Sequence, residues 1–338
     1  METRSLVLAR PERDAVELMV RELPAVGPGE ALVRIRKAGI CGTDLHIIGW
    51  NAWAQRAYRP PLALGHELCG DIVEIGAGGE FAVGDRVTAE THLACGTCDQ
   101  CRRDRGHTCD NLKTFTRLGL GAFADLAVIP VPLLRRVPAG VSDRVGAAME
   151  PLGIAIRAVE AAAAEADRLM VSGCGPIGLF AVAAARAMTG ATIQAVDPSD
   201  ARLDLARMAG ADIACRPEAL GELAACDAVI ETSGVQGALD AAFRQTRKGG
   251  RIVYCGLPSE PLSVDVTGQI VLREVALEGV YGRHLTRTWR TMSDLLEQGL
   301  DIEPLLTAEL PIERFGEALR LARAGTHGKI VFDLSTSH

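Results

Sequence analysis

The sequence lacks several features that would each assign it to a broad class of protein. It has no excess of positive charge, because 36 Lys and Arg residues face 43 Asp and Glu residues, and the net charge of −7 argues against nucleic-acid binding. No apolar run approaches the roughly 20 residues that a membrane helix needs. The first residues carry scattered charges and no long apolar core. We therefore expect no signal peptide, no membrane segment and a cytoplasmic location.

The pattern of apolar residues changes along the 338-residue chain, whose length favours two domains. The first third is typical of short strands separated by Gly and Pro, such as those predicted at 31–37 and 70–76. From about residue 147, apolar strands alternate with helical patterns, beginning with a strand at 168–172 and a helix at 176–188. This alternation predicts βαβ units and a parallel sheet.

The densest group of reactive side chains is the stretch CGTCDQCRRDRGHTC at residues 95–109. Its cysteines follow the spacing C-x2-C-x2-C-x7-C: Cys95, Cys98, Cys101 and Cys109. Zinc binds four thiolates tetrahedrally, and such a set leaves no open position for a substrate. The spacing therefore predicts a structural zinc site, with free thiols or an iron–sulfur cluster as alternatives.

A second group of metal-binding residue types lies upstream, in GICGTDLH and GHE. Cys41, His66 and Glu67 are ligand types that suit zinc, and three protein ligands leave a fourth position for a substrate oxygen. A lone cysteine is more often a buried apolar filler, but the nearby cysteine cluster favours a metal site. Glu150 is a further candidate ligand, and its alternative is a carboxylate stabilised at a helix N-terminus.

The stretch VSGCGPIG carries the pattern G-x-G-x-x-G at Gly173, Gly175 and Gly178, after an apolar strand and at the start of a helix. This context predicts a loop that binds a dinucleotide, with the pyrophosphate at the helix N-terminus. Asp197 ends the second strand of the pattern. A carboxylate there accepts hydrogen bonds from the ribose hydroxyls and repels a 2′-phosphate, which predicts NAD over NADP.

Together these motifs resemble the zinc-dependent medium-chain alcohol dehydrogenases, and most closely their L-threonine 3-dehydrogenase branch. GHELCGDIVEIG, the cysteine cluster and VSGCGPIGL are typical of the family, whereas WNAWAQ at 50–55, Thr91–His92 and YGR at 281–283 are typical of the branch. The resemblance implies an α/β fold with a GroES-like β-rich catalytic domain at 1–148. It also implies a Rossmann doubly wound parallel-sheet domain for NAD at 149–284 and a C-terminal return to the catalytic domain at 285–338.

The resemblance further implies roles for individual residues. Two zinc ions per subunit are expected, with the catalytic zinc held by Cys41, His66, Glu67 and, as ligand or relay member, Glu150. The structural zinc is assigned to Cys95, Cys98, Cys101 and Cys109. The catalytic residues are Thr43, His46, Glu150 and His92. The NAD site is assigned to Gly173, Gly175, Pro176, Ile177, Gly178, Asp197, Arg202, Cys255, Gly256, Leu257, Val280 and Tyr281.

The resemblance implies hydride transfer from a secondary alcohol to NAD. The expected substrate is L-threonine, and the expected product is 2-amino-3-ketobutyrate. Polyol, 2,3-butanediol and amino-cyclitol dehydrogenases are the alternatives. The hydroxyl proton would leave through Thr43 to His46. His92 would bind the polar end of the substrate, unless it is a histidine of a surface loop. Members of this family are usually homotetramers, so the resemblance implies a homotetramer that acts on a small-molecule alcohol.

Overall fold

The structure is a computed structural model that describes residues 1–77, 80–163 and 166–335. Its α-helices are α1 (Gly42–Ile48), α2 (Ala52–Ala57), α3 (Asp99–Arg102), α4 (Asp143–Ala162), α5 (Pro176–Met188), α6 (Asp200–Met208), α7 (Gln236–Gln245), α8 (Arg287–Glu297) and α9 (Phe315–Ala324). Its strands are β1 (Glu2–Leu8), β2 (Val16–Glu22), β3 (Glu30–Gly39), β4 (Leu62–Ala63), β5 (Glu67–Ile75), β6 (Arg86–Ala89), β7 (His92–Leu93), β8 (Lys113–Thr114), β9 (Leu126–Pro130), β10 (Leu134–Arg136), β11 (Arg168–Ser172), β12 (Thr192–Val196), β13 (Ile213–Cys215), β14 (Cys226–Glu231), β15 (Thr246–Tyr254), β16 (Ala276–Gly279), β17 (Leu306–Pro311) and β18 (Lys329–Asp333).

The first compact unit comprises Met1–Glu150, Ala308–Ala324 and the described residues from Lys329 on. Its main sheet has the order β10-β6-β5-β3-β18-β17, and β9 also pairs with β3. Strand β3 is antiparallel to β5, β9 and β18. The core includes Phe123 and Phe332, whose rings meet edge to face at 5.0 Å between centroids. The strands predicted at 31–37 and 70–76 are confirmed as β3 and β5.

The second unit contains Pro151–Thr307 and Gly325–Gly328. Its sheet has the order β13-β12-β11-β14-β15-β16, and every neighbouring pair is parallel. The strand order reverses between β11 and β14, which creates a crevice at the carboxyl ends of the strands. The predicted strand at 168–172 and helix at 176–188 coincide with β11 and α5. This doubly wound arrangement is the predicted Rossmann fold.

The sequence predicts that the chain returns to the first unit at residue 285. Residues 285–307, with helix α8, cluster with the second unit, and the return begins at Ala308. The physical reason is the turn Glu303–Leu305, which packs against α5 and α6 and buries Leu305. Along the chain, the division between the units falls within α4, at Pro151. None of the helices in the described part of the chain combines the length and apolar character required to cross a bilayer.

Candidate metal and cofactor sites

Three neighbouring strands of the first unit build the floor of the first metal cluster. Glu67 begins β5, Gly39 ends β3, and Lys329 begins β18. Gly39 is paired with both neighbours, opposite Glu67 on one side and Val331 on the other. A Cβ atom at Gly39 would collide with the Glu67 carboxylate and with the Lys329 side chain. The glycine therefore makes room for a buried acid and a buried base.

The thiol, imidazole and carboxylate of Cys41, His66 and Glu67 converge on one point. Their ligand atoms all lie within 4.8 Å of one another. Cys41 follows β3 as the N-cap residue of α1, and His66 directly precedes β5. Sulfur, nitrogen and carboxylate donors at this spacing suit a zinc ion, and three protein ligands leave one position open. The residues present therefore fit the zinc ion that the sequence predicts.

A buried acid, Asp44, connects the two loops that carry these ligands. Its Oδ2 accepts a hydrogen bond from the Cys41 backbone N–H at 2.9 Å, and its Oδ1 accepts one from Gly65 N–H at 3.3 Å. Oδ1 also lies 3.4 Å from Nδ1 of His66. Burial by itself lowers the pKa of His66, but the negative charges of Asp44 and Cys41 outweigh it and raise that pKa well above its usual value. Such a partner orients a metal-binding imidazole.

Glu67 is fully buried beside the ammonium group of Lys329. Lys329 Nζ contacts Glu67 Oε2 and donates a hydrogen bond to the Ile40 carbonyl oxygen at 2.8 Å. Burial raises the pKa of Glu67, and the charge of Lys329 offsets part of that effect. Among the described residues, Oε1 of Glu67 has no hydrogen-bond partner, whereas Oε2 has the ionic contact with Lys329. Oε1 is therefore the oxygen that is suited to a metal ion.

Glu150 is not a member of this three-residue group. It lies on α4, is buried, and its Oε1 accepts a hydrogen bond from Thr91 Oγ1 at 2.9 Å. Its negative charge contributes to raising the pKa of Glu67. The contact with Thr91 places Glu150 in a second polar group.

Thr91 belongs to that group together with His92 and Glu90. Glu90 Oε1 accepts hydrogen bonds from the backbone N–H groups of Thr91 and His92 at 2.8 and 2.9 Å. The same oxygen lies 3.0 Å from Nδ1 of His92. His92 is 8% exposed, so it is a buried histidine paired with an acid and not a surface-loop histidine. Strand β7, which begins at His92, pairs with β8.

Thr43 and His46 lie three residues apart on α1, so their side chains share one face of that helix. The imidazole of His46 is half-buried, and burial lowers its pKa. Its Nδ1 lies 2.9 Å from Nδ2 of Asn51. Cys41 is the N-cap residue of this helix, so the thiol directly precedes the short element that carries both predicted relay residues.

The four-cysteine cluster is a separate loop in which Cys95 is exposed and Cys109 is buried. Cys98 Sγ lies 3.5 Å from Cys101 Sγ and 3.7 Å from Cys109 Sγ. Zn–S bonds of about 2.3 Å give a tetrahedron with edges of about 3.8 Å, which matches this spacing. All four sulfur atoms lie within 4.8 Å of one another.

Backbone donors surround the same sulfur atoms. The N–H groups of Cys95 and Asn111 each donate to Cys109 Sγ at 3.3 Å. Hydrogen bonds from Thr97, first from its backbone and then from its hydroxyl, lower the pKa of Cys95 to about 5. Partial burial raises the pKa of Cys101 to about 12. A zinc ion would replace the protons that these crowded thiols otherwise share.

The glycine-rich loop of the second unit follows β11 at the reversal of strand order. Gly173 has φ of +89°, which a residue with a side chain rarely adopts. A Cβ at Gly178 would collide with the carbonyl oxygen of Gly173, so the third glycine permits close packing of α5. A Cβ at Gly175 would meet no protein atom within 4 Å. The open space there, at the N-terminus of α5, fits a pyrophosphate group.

Asp197 follows β12 and is buried beside this loop. Its Oδ2 accepts a hydrogen bond from Cys174 N–H and its Oδ1 from Ser199 N–H, both at 2.8 Å. Arg202, on α6, lies 3.9 Å from its carboxylate. Each oxygen keeps a lone pair for a ribose hydroxyl. The carboxylate is therefore fixed at the position that the sequence predicted for it.

Five further predicted cofactor residues follow the carboxyl ends of β15 and β16, at the same edge of the sheet. The backbone N–H groups of Cys255 and Gly256 donate to the carbonyl oxygen of Glu231 at 2.8 and 3.1 Å. Val280 N–H donates to the Tyr254 carbonyl oxygen at 2.9 Å. The structure brings this whole set to the edge where α/β sheets bind nucleotides. The set comprises Pro176 and Ile177 at the start of α5, Leu257 after β15, Tyr281 after β16, and the residues just described.

The sequence reasoning missed four residues of these sites: Asp44, Asn51, Glu90 and Lys329. Asp44 lies inside GICGTDLH, where an acid between a cysteine and a histidine was an available signal. Lys329 is 289 positions from the carbonyl group that it binds, and nothing local marks it.

Comparisons with known proteins agree with this geometry. Residues 27–139 match the model of the alcohol dehydrogenase GroES-like domain, and residues 176–298 match that of the zinc-binding dehydrogenases. A protein of Pyrococcus furiosus named L-threonine 3-dehydrogenase is 37% identical, over 98% of either chain.

Solved structures cover nearly the whole chain as well. A crystal structure from Escherichia coli CFT073, described as a short-chain alcohol dehydrogenase complexed with NADH, has a TM-score of 0.88 at 26% identity and covers 98% of this chain and 99% of that one. The structure of 2R,3R-butanediol dehydrogenase from Bacillus subtilis has a TM-score of 0.85 at 25% identity with the same coverage.

Proposed function

Because the chain belongs to the zinc-binding medium-chain alcohol dehydrogenases, we propose that it oxidises the secondary hydroxyl of a small alcohol with NAD as the hydride acceptor. The observation that carries the proposal is the convergence of Cys41, His66 and Glu67 on a site with an open coordination position. The same chain carries a loop shaped for a dinucleotide. The reaction removes a hydride from the carbinol carbon and a proton from its hydroxyl.

Two zinc ions per subunit have different tasks in this proposal. Cys41, His66 and Glu67 would hold one zinc ion, which would supply the Lewis acidity that lowers the pKa of the substrate hydroxyl. The cluster Cys95, Cys98, Cys101 and Cys109 uses all its sulfur atoms for one ion and stabilises its loop. Glu150 accepts a hydrogen bond from Thr91 and places a negative charge near Cys41, His66 and Glu67.

Protons leave the site along α1. Thr43 accepts the hydroxyl proton and passes it towards His46, whose ordinary pKa is near neutrality. Burial keeps His46 neutral, so it accepts protons at physiological pH. His92, oriented by Glu90, binds the polar end of the substrate.

The choice of NAD rests on Asp197, whose carboxylate is fixed by backbone donors. A 2′-phosphate in the same place would meet a buried negative charge. We predict that Asp197→Ser lowers the preference for NAD over NADP about 100-fold or more in kcat/KM, since a charge-charge repulsion and two ribose hydrogen bonds are removed. Kinetics with both cofactors measure this. A wild-type enzyme that prefers NADP would refute the role of Asp197.

L-threonine is the proposed substrate, with 2-amino-3-ketobutyrate as the product. The full-length similarity to L-threonine 3-dehydrogenase supports it. A secondary alcohol such as 2,3-butanediol is the second candidate, and the likeness to butanediol dehydrogenase favours it. NADH formation with threonine, 2,3-butanediol, sorbitol and an amino-cyclitol decides between them. If another alcohol gives the highest kcat/KM, the proposed reaction stands and that alcohol replaces threonine as the proposed substrate.

We also propose that the enzyme is a cytoplasmic homotetramer. Strand β16 ends the parallel sheet, and apolar side chains beside it are exposed, including Val271 and Leu272 at 61% and 70%. Exposed apolar side chains next to a sheet edge are suited to contact between copies. Light scattering of the purified enzyme tests the assembly, and a monomeric mass would contradict it.

A further inference from the structure

The turn between α1 and α2 places Asn51 against His46. Nδ2 of Asn51 lies 2.9 Å from Nδ1 of His46. The backbone N–H of Asn51 donates to the carbonyl oxygen of His46 at 3.4 Å. Trp50 adopts a φ of +47°, in the left-handed region, and this conformation turns the chain back over the end of α1. Asn51 therefore contacts both the ring and the backbone of His46.

A different contact decides which end of the Asn51 amide faces the imidazole. Asn51 is the N-cap of α2, and its Oδ1 accepts a hydrogen bond from Ala54 N–H at 2.9 Å. An N-cap side chain must present an acceptor, and exchanging the amide nitrogen and oxygen would set two donors against each other at Ala54. The Nδ2 group, which only donates, therefore faces His46.

A donor at Nδ1 determines where the proton of the imidazole resides. A neutral imidazole has one N–H donor and one acceptor nitrogen, so Nδ1 of His46 accepts and Nε2 carries the hydrogen. The imidazolium form has N–H at both nitrogens and would oppose the Asn51 amide. Burial acts in the same direction, because it lowers the pKa of His46.

The other neighbours of the ring supply no charge that would reverse this preference. The Trp53 ring meets the imidazole edge to face, with centroids 6.4 Å apart. Within residues 1–77, 80–163 and 166–335, no carboxylate or ammonium group forms an ion pair with His46, and burial is the cause of its lowered pKa. The amide of Asn51 is thus the polar group that opposes a proton at Nδ1.

We propose that Asn51 is a positioning residue of the proton relay: its amide holds His46 as the neutral Nε2–H tautomer and opposes protonation at Nδ1. The tautomer follows from the contacts above, and only its kinetic consequence rests on the proposed function. A relayed proton forms an N–H bond at Nδ1 and displaces the Asn51 donor, and the Nε2–H bond of the imidazolium then breaks to release a proton to solvent. Exchange of the ring protons with solvent restores the Nε2–H tautomer, and the Asn51 amide donates to Nδ1 again. His46 consequently stays able to accept protons at a lower pH than an unpaired histidine.

The decisive variant is Asn51→Asp. Aspartate is an equally good N-cap residue, so α2 keeps its cap while the donor facing Nδ1 becomes a carboxylate acceptor. We expect the pKa of His46 to rise by about one to two units, because a carboxylate beside the ring favours the imidazolium. Asn51→Ser keeps the cap without the amide, and it should produce a smaller rise.

Ala52→Asp is the matched control for added negative charge. Ala52 is the exposed first residue of α2, so the new carboxylate adds the same charge without replacing the amide at Nδ1. It should shift the pKa of His46 by about 0.3 unit or less. The measurement is the NMR titration of 13C-labelled histidines in the holoenzyme. His46→Gln assigns the resonance among the seven histidines.

The inference is overturned if Asn51→Asp leaves the pKa of His46 unchanged or moves it no further than Ala52→Asp does. A second measurement, the pH profile of kcat/KM, separates this failure from that of the proposed function. In Asn51→Asp, a pKa raised by one unit should lower activity about tenfold on the acidic limb and leave activity at pH 9 intact. If the NMR pKa rises and the acidic limb does not follow, the tautomer stands and the relay role of His46 falls.

Discussion

The two metal-binding clusters of the first unit differ in what surrounds them. Cys95, Cys98, Cys101 and Cys109 lie within fifteen residues of one loop, and the Cys109 sulfur is supported by backbone N–H groups. Cys41, His66 and Glu67 come from the ends of separate elements and are supported by buried side chains, Asp44 and Lys329. The four-cysteine set supplies all the ligands that a zinc ion needs. The set of Cys41, His66 and Glu67 depends in addition on side chains that do not bind the metal.

This difference shows why one set suits stabilisation and the other catalysis. Four thiolates satisfy zinc and leave no room for a substrate. A set of three leaves a position open, but its geometry then has to be maintained by the surrounding protein. The catalytic cluster should therefore respond to changes beyond its ligands, and the structural cluster should respond chiefly to loss of a cysteine.

The largest expected effect is on turnover, in Cys41→Ser. Loss of the thiolate removes the Lewis acid from the reacting oxygen, and kcat should fall by about 10,000-fold or more, roughly 5 kcal/mol in the activation barrier. The melting temperature should change by only a few degrees. Zinc content and kcat, measured beside Cys98→Ser, test this. Full activity in Cys41→Ser would reverse the assignment of the two clusters.

The next effect is on stability, in Lys329→Met. This change leaves Glu67 as a buried acid without its counter-ion, which costs about 3–5 kcal/mol in metal-free protein. Chemical denaturation after removal of zinc measures it. The double variant with Glu67→Gln should recover most of the loss, because no charge remains unpaired. A loss that the double variant does not recover would show that Lys329 contributes packing and not charge.

Cys98→Ser should lower stability by a smaller amount, about 2–3 kcal/mol, since the cluster lies on a loop outside the main core. The protein should lose one zinc ion per subunit. The residual kcat at low temperature should stay within about threefold of wild type, because the catalytic ligands are untouched. Zinc analysis and thermal unfolding test both statements. Loss of turnover in a folded variant at full catalytic zinc occupancy would contradict a purely structural role.

The smallest effect is on metal affinity, in Asp44→Asn. An amide keeps the size of the side chain but removes the charge beside His66, so zinc affinity at the catalytic site should fall about 10- to 100-fold. Titration with a competing chelator, followed through the remaining activity, measures the zinc affinity of the catalytic site. Zinc in the cysteine cluster serves as the internal control. Equal loss from both sites would indicate general destabilisation.

The sequence was sufficient for local features of this protein. The cysteine spacing predicts its cluster because all four ligands lie on one loop, and the glycine-rich loop is predictable because its strand and helix adjoin it. The α/β alternation likewise predicts the second sheet. The sequence carries no local signal for the grouping of residues 285–307 with the second unit, because the turn Glu303–Leu305 packs against α5 and α6, which lie far from it along the chain.

What the sequence determined by itself was the set of metal-binding residue types and the glycine pattern, since spacing along the chain constrains both directly. Tertiary structure decided which groups support them. Lys329 reaches Glu67 only because β18 pairs with β3, and Asp44 supports His66 only because two loops meet. The N-cap hydrogen bond from Ala54 N–H sets the orientation of the Asn51 amide, and the turn between α1 and α2 places that amide against His46. Such contacts depend on backbone geometry in three dimensions, which no local pattern of residue types records.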